Sequence, residues 1–122
     1  MTEAKLYTAL TGHAGLSALV GTRVFPVILP QNVTLPAVRY QRITGGQVTA
    51  HSGYTGLENP RYQIDAWANT FDAARAIAKQ IRLAMTSATT FTAIVLTDFD
   101  DYEPEKNLFR ISLDFSVWSE QL

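Results

Sequence analysis

The chain has no cysteine, only two histidines, and no apolar run approaching a membrane-spanning length. Without cysteine there is no disulfide framework, no thiolate metal site and no thiol nucleophile. His13 and His51 have no second histidine or acid at metal-ligand spacing, and no Gly-X-Ser-X-Gly elbow accompanies them. A spanning helix needs about 20 apolar residues, so no membrane partner is expected. Net charge is also scarce: ten Lys and Arg against eleven Asp and Glu leave −1, too little for a strong grip on nucleic acid or anionic lipid. The opening MTEAKLYTAL lacks a basic region followed by an apolar run. A soluble protein made without export is therefore expected. At 122 residues, a single domain over 1–122 is long enough to bury about two-thirds of its unfolded surface without disulfide or metal.

What the sequence does have is alternation. In NLFRISLDFSVW, Asn107–Trp118, residues Phe109, Ile111, Leu113, Phe115 and Val117 point one way. Arg110, Ser112, Asp114, Ser116 and Trp118 point the other, which predicts a half-buried strand of a mostly antiparallel sheet. RYQIDAWA, Arg61–Ala68, repeats the pattern, with Tyr62, Ile64, Ala66 and Ala68 inward and Arg61, Gln63, Asp65 and Trp67 outward. AVRYQRI, Ala37–Ile43, is a third strand, and FTAIVL, Phe91–Leu96, is apolar at nearly every position and reads as an inner one. The prolines between Arg23 and Pro36 predict an irregular or edge segment.

Helical spacing occurs in three places. Thr2 caps a first helix interrupted by Gly12, and Ala14–Val20 is a second, stopped by Gly21. Thr70 caps the long helix Phe71–Ser87, where Ala74, Ile77, Ala78, Ile81, Ala84 and Met85 share one side and Arg75, Lys79 and Arg82 the other. The expected architecture is α+β: a four-stranded, mostly antiparallel sheet with one long helix and short N-terminal helices packed on one face.

Three groups are candidates for function. Gly45–Asn59 holds Gly45, Gly46, Gly53 and Gly56 with His51 and Tyr54, and its lack of periodicity predicts a long mobile loop for partner contact. It runs from strand to strand and lacks Gly-Lys-Ser/Thr, so it is no phosphate cradle. Asp98, Asp100, Asp101, Glu103 and Glu105 form an acidic connection ended by Pro104 and Asn107. Without the glycine and ligand spacing of a calcium loop it reads as a solvated turn or a charged surface for a partner. Trp67 and Trp118 fall on outward faces beside Arg61, Asp65, Arg110 and Asp114. Either a flanking element covers them or they belong to a subunit interface, where Trp and Arg are enriched. Base stacking with Arg39 and Arg61 is a third reading.

The phrases LSALVGTRVFP, LPAVRYQRI, RYQIDAWA, TFDAARAIAKQIRLAM and RISLDFSVW, in that order from Leu6 to Trp118, resemble the tail-completion family of tailed bacteriophages, prophages and gene transfer agents. The resemblance implies a non-enzymatic virion protein without cofactor or active site, similar to tail terminators. It implies a homo-oligomer, a hexameric ring on the head-proximal end of the tail tube, assembled in the host cytoplasm. Its partners would be the tail tube protein and the head-tail connector, and DNA would only pass through the lumen. The Trp, Arg and Asp positions would then be subunit contacts, the glycine-rich segment a partner-contact loop, and the acidic residues a lumen or docking surface. Three rivals are a head-side neck protein of the same ring habit, a small nucleic-acid-binding module, and a small hydrolase using His51 and the acidic turn.

Overall fold

The computed structural model describes residues 2–45, 47–50 and 53–120. In chain order these form α1 (Thr2–Gly12), α2 (Ala14–Val20), β1 (Val24–Pro26), β2 (Ala37–Thr44), β3 (Gln47–Ala50) and β4 (Gly53–Glu58). Then follow β5 (Arg61–Ala68), α3 (Phe71–Thr86), β6 (Thr92–Glu103) and β7 (Leu108–Glu120). The class is α+β, but the sheet has seven strands where four were expected.

Local chemistry sets the helix ends. The Thr70 hydroxyl accepts a hydrogen bond from the Ala73 amide at 3.2 Å, and Asp72 lies in the first turn, both favourable at a helix N-terminus. Gly21 closes α2 at φ 60°, a backbone that favours glycine, and its amide donates to the Ser17 carbonyl at 2.8 Å. Gly12 ends α1 rather than cutting it short, and Thr2 lies within the helix rather than before it.

The six predicted apolar positions of α3 are all buried. They pack on β5, β6 and β7, over Tyr62, Ile64, Ala66, Leu113, Phe115 and Val117. Leu6 and Leu10 of α1 and Leu16 and Val20 of α2 are fully buried in the same core.

The sheet is built outward from β7. β5 pairs antiparallel with one edge of β7, Arg61 opposite Ser116 through Ala68 opposite Phe109. β6 pairs antiparallel with the other, from Thr92 opposite Trp118 to Glu103 opposite Leu108. β2 pairs antiparallel with β5, and the short β1 lies parallel to β2 at the sheet's end, the edge position its proline predicts.

The segment expected as a loop is strand. β3 and β4 pair in the register that β2 and β5 leave off: Thr44 faces Arg61, then Gln47 faces Glu58. β4 likewise continues β5 along β7, with Glu58 opposite Ser119. Asn59 and Pro60 mark the join, where the Asn59 amide donates to the Ser116 hydroxyl and the Val117 carbonyl, both at 2.9 Å. β2–β3 and β4–β5 are thus two arms of one long hairpin. Glycines interrupted the hydrophobic period, but the ladder needs only backbone groups. Gly46 and His51 lie outside the described residues.

Two further expectations change. β6 is not an inner strand, because its far edge pairs with no described residue, and Ile94 and Leu96 are half-exposed. Apolar residues on both faces do not require neighbours on both edges. The acidic stretch is mostly not a turn, since β6 runs on through Glu103 and only 104–107 turns. Asn107 takes φ 52° there, and its side-chain oxygen accepts from the Tyr102 hydroxyl at 2.7 Å.

Candidate interaction surface

The helix-free face of the sheet carries the residues predicted to point outward. Register places Arg39, Asp65, Ser112 and Phe99 in one row across β2, β5, β7 and β6. Asp65 is fully buried in this row. One of its carboxylate oxygens accepts from Arg39 Nε at 3.0 Å and Nη2 at 2.6 Å. The other accepts from the Ser112 hydroxyl at 2.6 Å and Gln63 Nε2 at 3.0 Å. Four donors on one buried carboxylate meet the condition under which such a charge is tolerated. Asp65 therefore fastens β2, β5 and β7 together and is not itself a contact residue. Arg61 and Asp114, a diagonal pair on the same face, meet at 2.7 Å.

The next row holds Trp67, Arg110 and Asp101. The Arg110 guanidinium lies 5.4 Å from the Trp67 ring centre and 5.8 Å from that of Phe99, and pairs with Asp101 at 2.6 Å. Cation–π contacts of this kind contribute about 0.5–1 kcal/mol where exposed. Two donors in the cluster, Trp67 Nε1 and Arg110 Nε, are buried with no acceptor among the described residues. Trp118 is 39% exposed and Ile94 52%, on the same face. Of the two tryptophans, Trp67 is half-covered by Arg110 and Trp118 is open.

The acidic group does not form one surface. Asp98 and Asp100 lie opposite Leu113 and Ile111, on the helix side, whereas Asp101 and Glu103 lie opposite Arg110 and Leu108. Glu105 belongs to the turn, and all five are exposed. Asp98 pairs with Arg82 of α3 at 2.6 Å. That pair sits in an open groove of about 670 Å3, which Arg75, Lys79 and Asp100 also line. Among the described residues, no three of His, Asp and Glu come together as metal ligands would.

Gly45 follows β2, while Gly53, Tyr54 and Gly56 lie in β4. His13 sits at the junction of α1 and α2, with Nε2 3.0 Å from Gln80 Oε1. Gly15 permits this approach, since a Cβ there would lie 2.1 Å from the same oxygen. Sequence reasoning missed the candidate surface's apolar part: Ile94 and Leu96 because the run Phe91–Leu96 reads as interior, and Phe99 because it lies in the stretch that reads as an acidic connection. It named Arg39 without its partner, although pairing the two strands about the long hairpin would have set it opposite Asp65.

A model of the family described as tail completion protein gp17 matches residues 4–120. The chain belongs to that family. Its role is structural, in the assembly of a phage tail, and not enzymatic, and its place is the virion tail. Among solved structures, a chain from the virion of a native gene transfer agent particle superimposes with TM-score 0.78 at 21% identity. The match covers 97% of this chain and 93% of that one, and establishes likeness of fold. No curated protein matches in sequence. The helix-free face carries both exposed apolar side chains and two buried donors that have no acceptor among the described residues.

Proposed function

We propose that this tail completion protein is the repeating subunit of a hexameric ring that closes the head-proximal end of the tail tube and offers the docking surface for the head connector. DNA passes through the lumen without being gripped, in keeping with the net charge of −1. The observation that carries the reading is the cluster around Trp67 and Arg110. Two buried donors without acceptors among the described residues cost about 1–3 kcal/mol each; exposed Phe99 lies beside them, and exposed Ile94 and Trp118 lie farther along the same face. Natural sequences keep such local violations where function needs them. A neighbouring subunit that moved the Arg110 side chain aside and covered the apolar groups would satisfy both defects.

Light scattering on the purified protein, alone and with tail tubes, tests this. A mass of six times 13.5 kDa, or a monomer that becomes a ring only on tubes, supports it. A monomer that ignores tubes but binds head connectors would instead make it a head-side neck protein.

A further inference from the structure

Four strand edges are free among the described residues. β1 is one, the side of β6 away from β7 is the second, the third is formed by the end of β2 together with β3, and the fourth is the short stretch 53–56 of β4 that extends past the end of β7. β1 reaches only Val38–Tyr40, so from Gln41 onward β2 has a partner on one side alone. A long edge normally carries charge, proline or a covering element, because its unpaired amides and carbonyls are a template for another chain. β1 is three residues long and includes Pro26. The second half of β6 carries Asp98, Asp100, Asp101 and Glu103. The first half, Thr92–Thr97, reads TAIVLT, without charge or proline, and its Ile94 and Leu96 are half-exposed. On the β2–β3 edge, Gln41–Thr44 has one charge, Arg42, and Gln47–Ala50 has none. Arg42 is exposed and makes no ion pair among the described residues. Asp100 is in the same condition, although Arg75 and Lys79 line the same groove.

We infer that the Thr92–Thr97 half of β6 in one copy takes the β2–β3 edge of a second copy as an added antiparallel strand. The sheet then continues from subunit to subunit. The inference rests on the ring reading and specifies how the ring is joined.

Charge chooses both the occupant and its direction. β2–β3 runs from Arg42 toward Ala50, and β6 runs from Thr92 toward the acids. Antiparallel pairing sets Arg42 beside Asp98 and Asp100 and lays the uncharged β3 against the uncharged TAIVLT. Parallel pairing would carry Arg42 to the far end and set β3 against the acids. Because the two edges differ, each copy offers one and accepts one, the arrangement that closes a ring rather than a twofold pair. Pairing β6 with β6 would leave Arg42 without a part.

Charge exchange tests the joint under the condition in which the wild-type ring forms, alone or on tubes. Arg42→Asp and Asp100→Arg should each weaken assembly about tenfold or more, as like charges then face each other. The two together should restore it. Ile94→Lys with Leu96→Lys, at exposed positions, should abolish it while circular dichroism and thermal unfolding stay those of the wild type. Wild-type rings that form equally well in every variant would overturn the joint and leave the ring reading standing. No wild-type ring under either condition would overturn the ring reading itself. Rings that form but no longer hold tubes would assign the β6 edge to the tube protein. Dimers lost with Ile94→Lys but indifferent to Arg42→Asp would mean β6 pairs with β6, and either result would overturn the inference.

Discussion

Alternate residues of β5 and β7 build two faces of opposite character. On the helix side, Tyr62, Ile64, Ala66, Ala68, Ile111, Leu113, Phe115 and Val117 are all at most 5% exposed. On the other side, Arg61, Gln63, Asp65, Trp67, Arg110, Ser112, Asp114 and Trp118 include every charge of the two strands between Arg61 and Trp118. The inner face is finished within one chain, because α3 and the N-terminal helices cover it completely. The outer face is finished only at its middle, where Asp65 collects its donors, and unfinished toward β6. On the proposed reading, stability rests on the inner face and on Asp65, and assembly on Trp67 and the free strand edges. Mutations should sort accordingly.

The largest effect is expected inside. Phe115 is fully buried, and Phe115→Ala should cost about 3–5 kcal/mol in urea unfolding, the usual loss for a large aromatic cut from a core. Asp65→Ala sharpens the comparison, because it lies on the outer face yet is equally buried. It strands Arg39, Ser112 and Gln63 without their common acceptor. A loss of about 3 kcal/mol is expected. If Asp65→Ala instead behaved like a surface substitution, the outer face would have no structural middle.

Legibility in the sequence followed the same division. The inner face was readable residue by residue, since burial imposes a period of two on β5 and β7 and of 3.6 on α3. The cap at Thr70 was readable for the same reason, being a local bond between a side chain and a nearby amide. The β3–β4 pairing was not, because glycines and small polar residues carry no period and backbone ladders leave no mark on side chains. The position of β6 was misread because hydrophobicity reports contact without saying whose. Ile94 and Leu96 look like core residues in sequence and are half-exposed in the isolated chain.

Alkaline pH should attack the inner face first. Burial, helped by the negative charge of Glu3, pushes the Tyr62 hydroxyl from 10.0 up to about 12. Burial followed by Glu3 also raises Tyr40. The folded state holds these protons more tightly than the unfolded one. Their contribution is thus complete below pH 10 and is lost as pH rises through about 12. The melting temperature should fall over that window, as tyrosinate absorbance appears. Tyrosinate formed near pH 10 by both residues, with no loss of stability, would show that the inner face is wetter than its burial implies.

The smallest effect on the isolated chain, and the most discriminating, is expected from Trp67→Phe. The indole N–H is buried with no acceptor among the described residues, so its removal recovers about 1–3 kcal/mol of desolvation cost. The smaller ring loses packing and part of its contact with Arg110, which offsets that gain. Urea unfolding should therefore move by no more than about 1 kcal/mol in either direction. Assembly should not be so forgiving. If a neighbouring subunit supplies the missing acceptor, losing the donor removes a bond made only in the ring. At about 1.4 kcal/mol per factor of ten, subunit affinity should then drop by tenfold or more. A variant that is as stable as wild type and fails to assemble would place the function of Trp67 outside its own chain. Equal assembly by both would leave the unpaired donor as a cost confined to the outer face, and the docking chemistry to Ile94, Phe99 and Trp118.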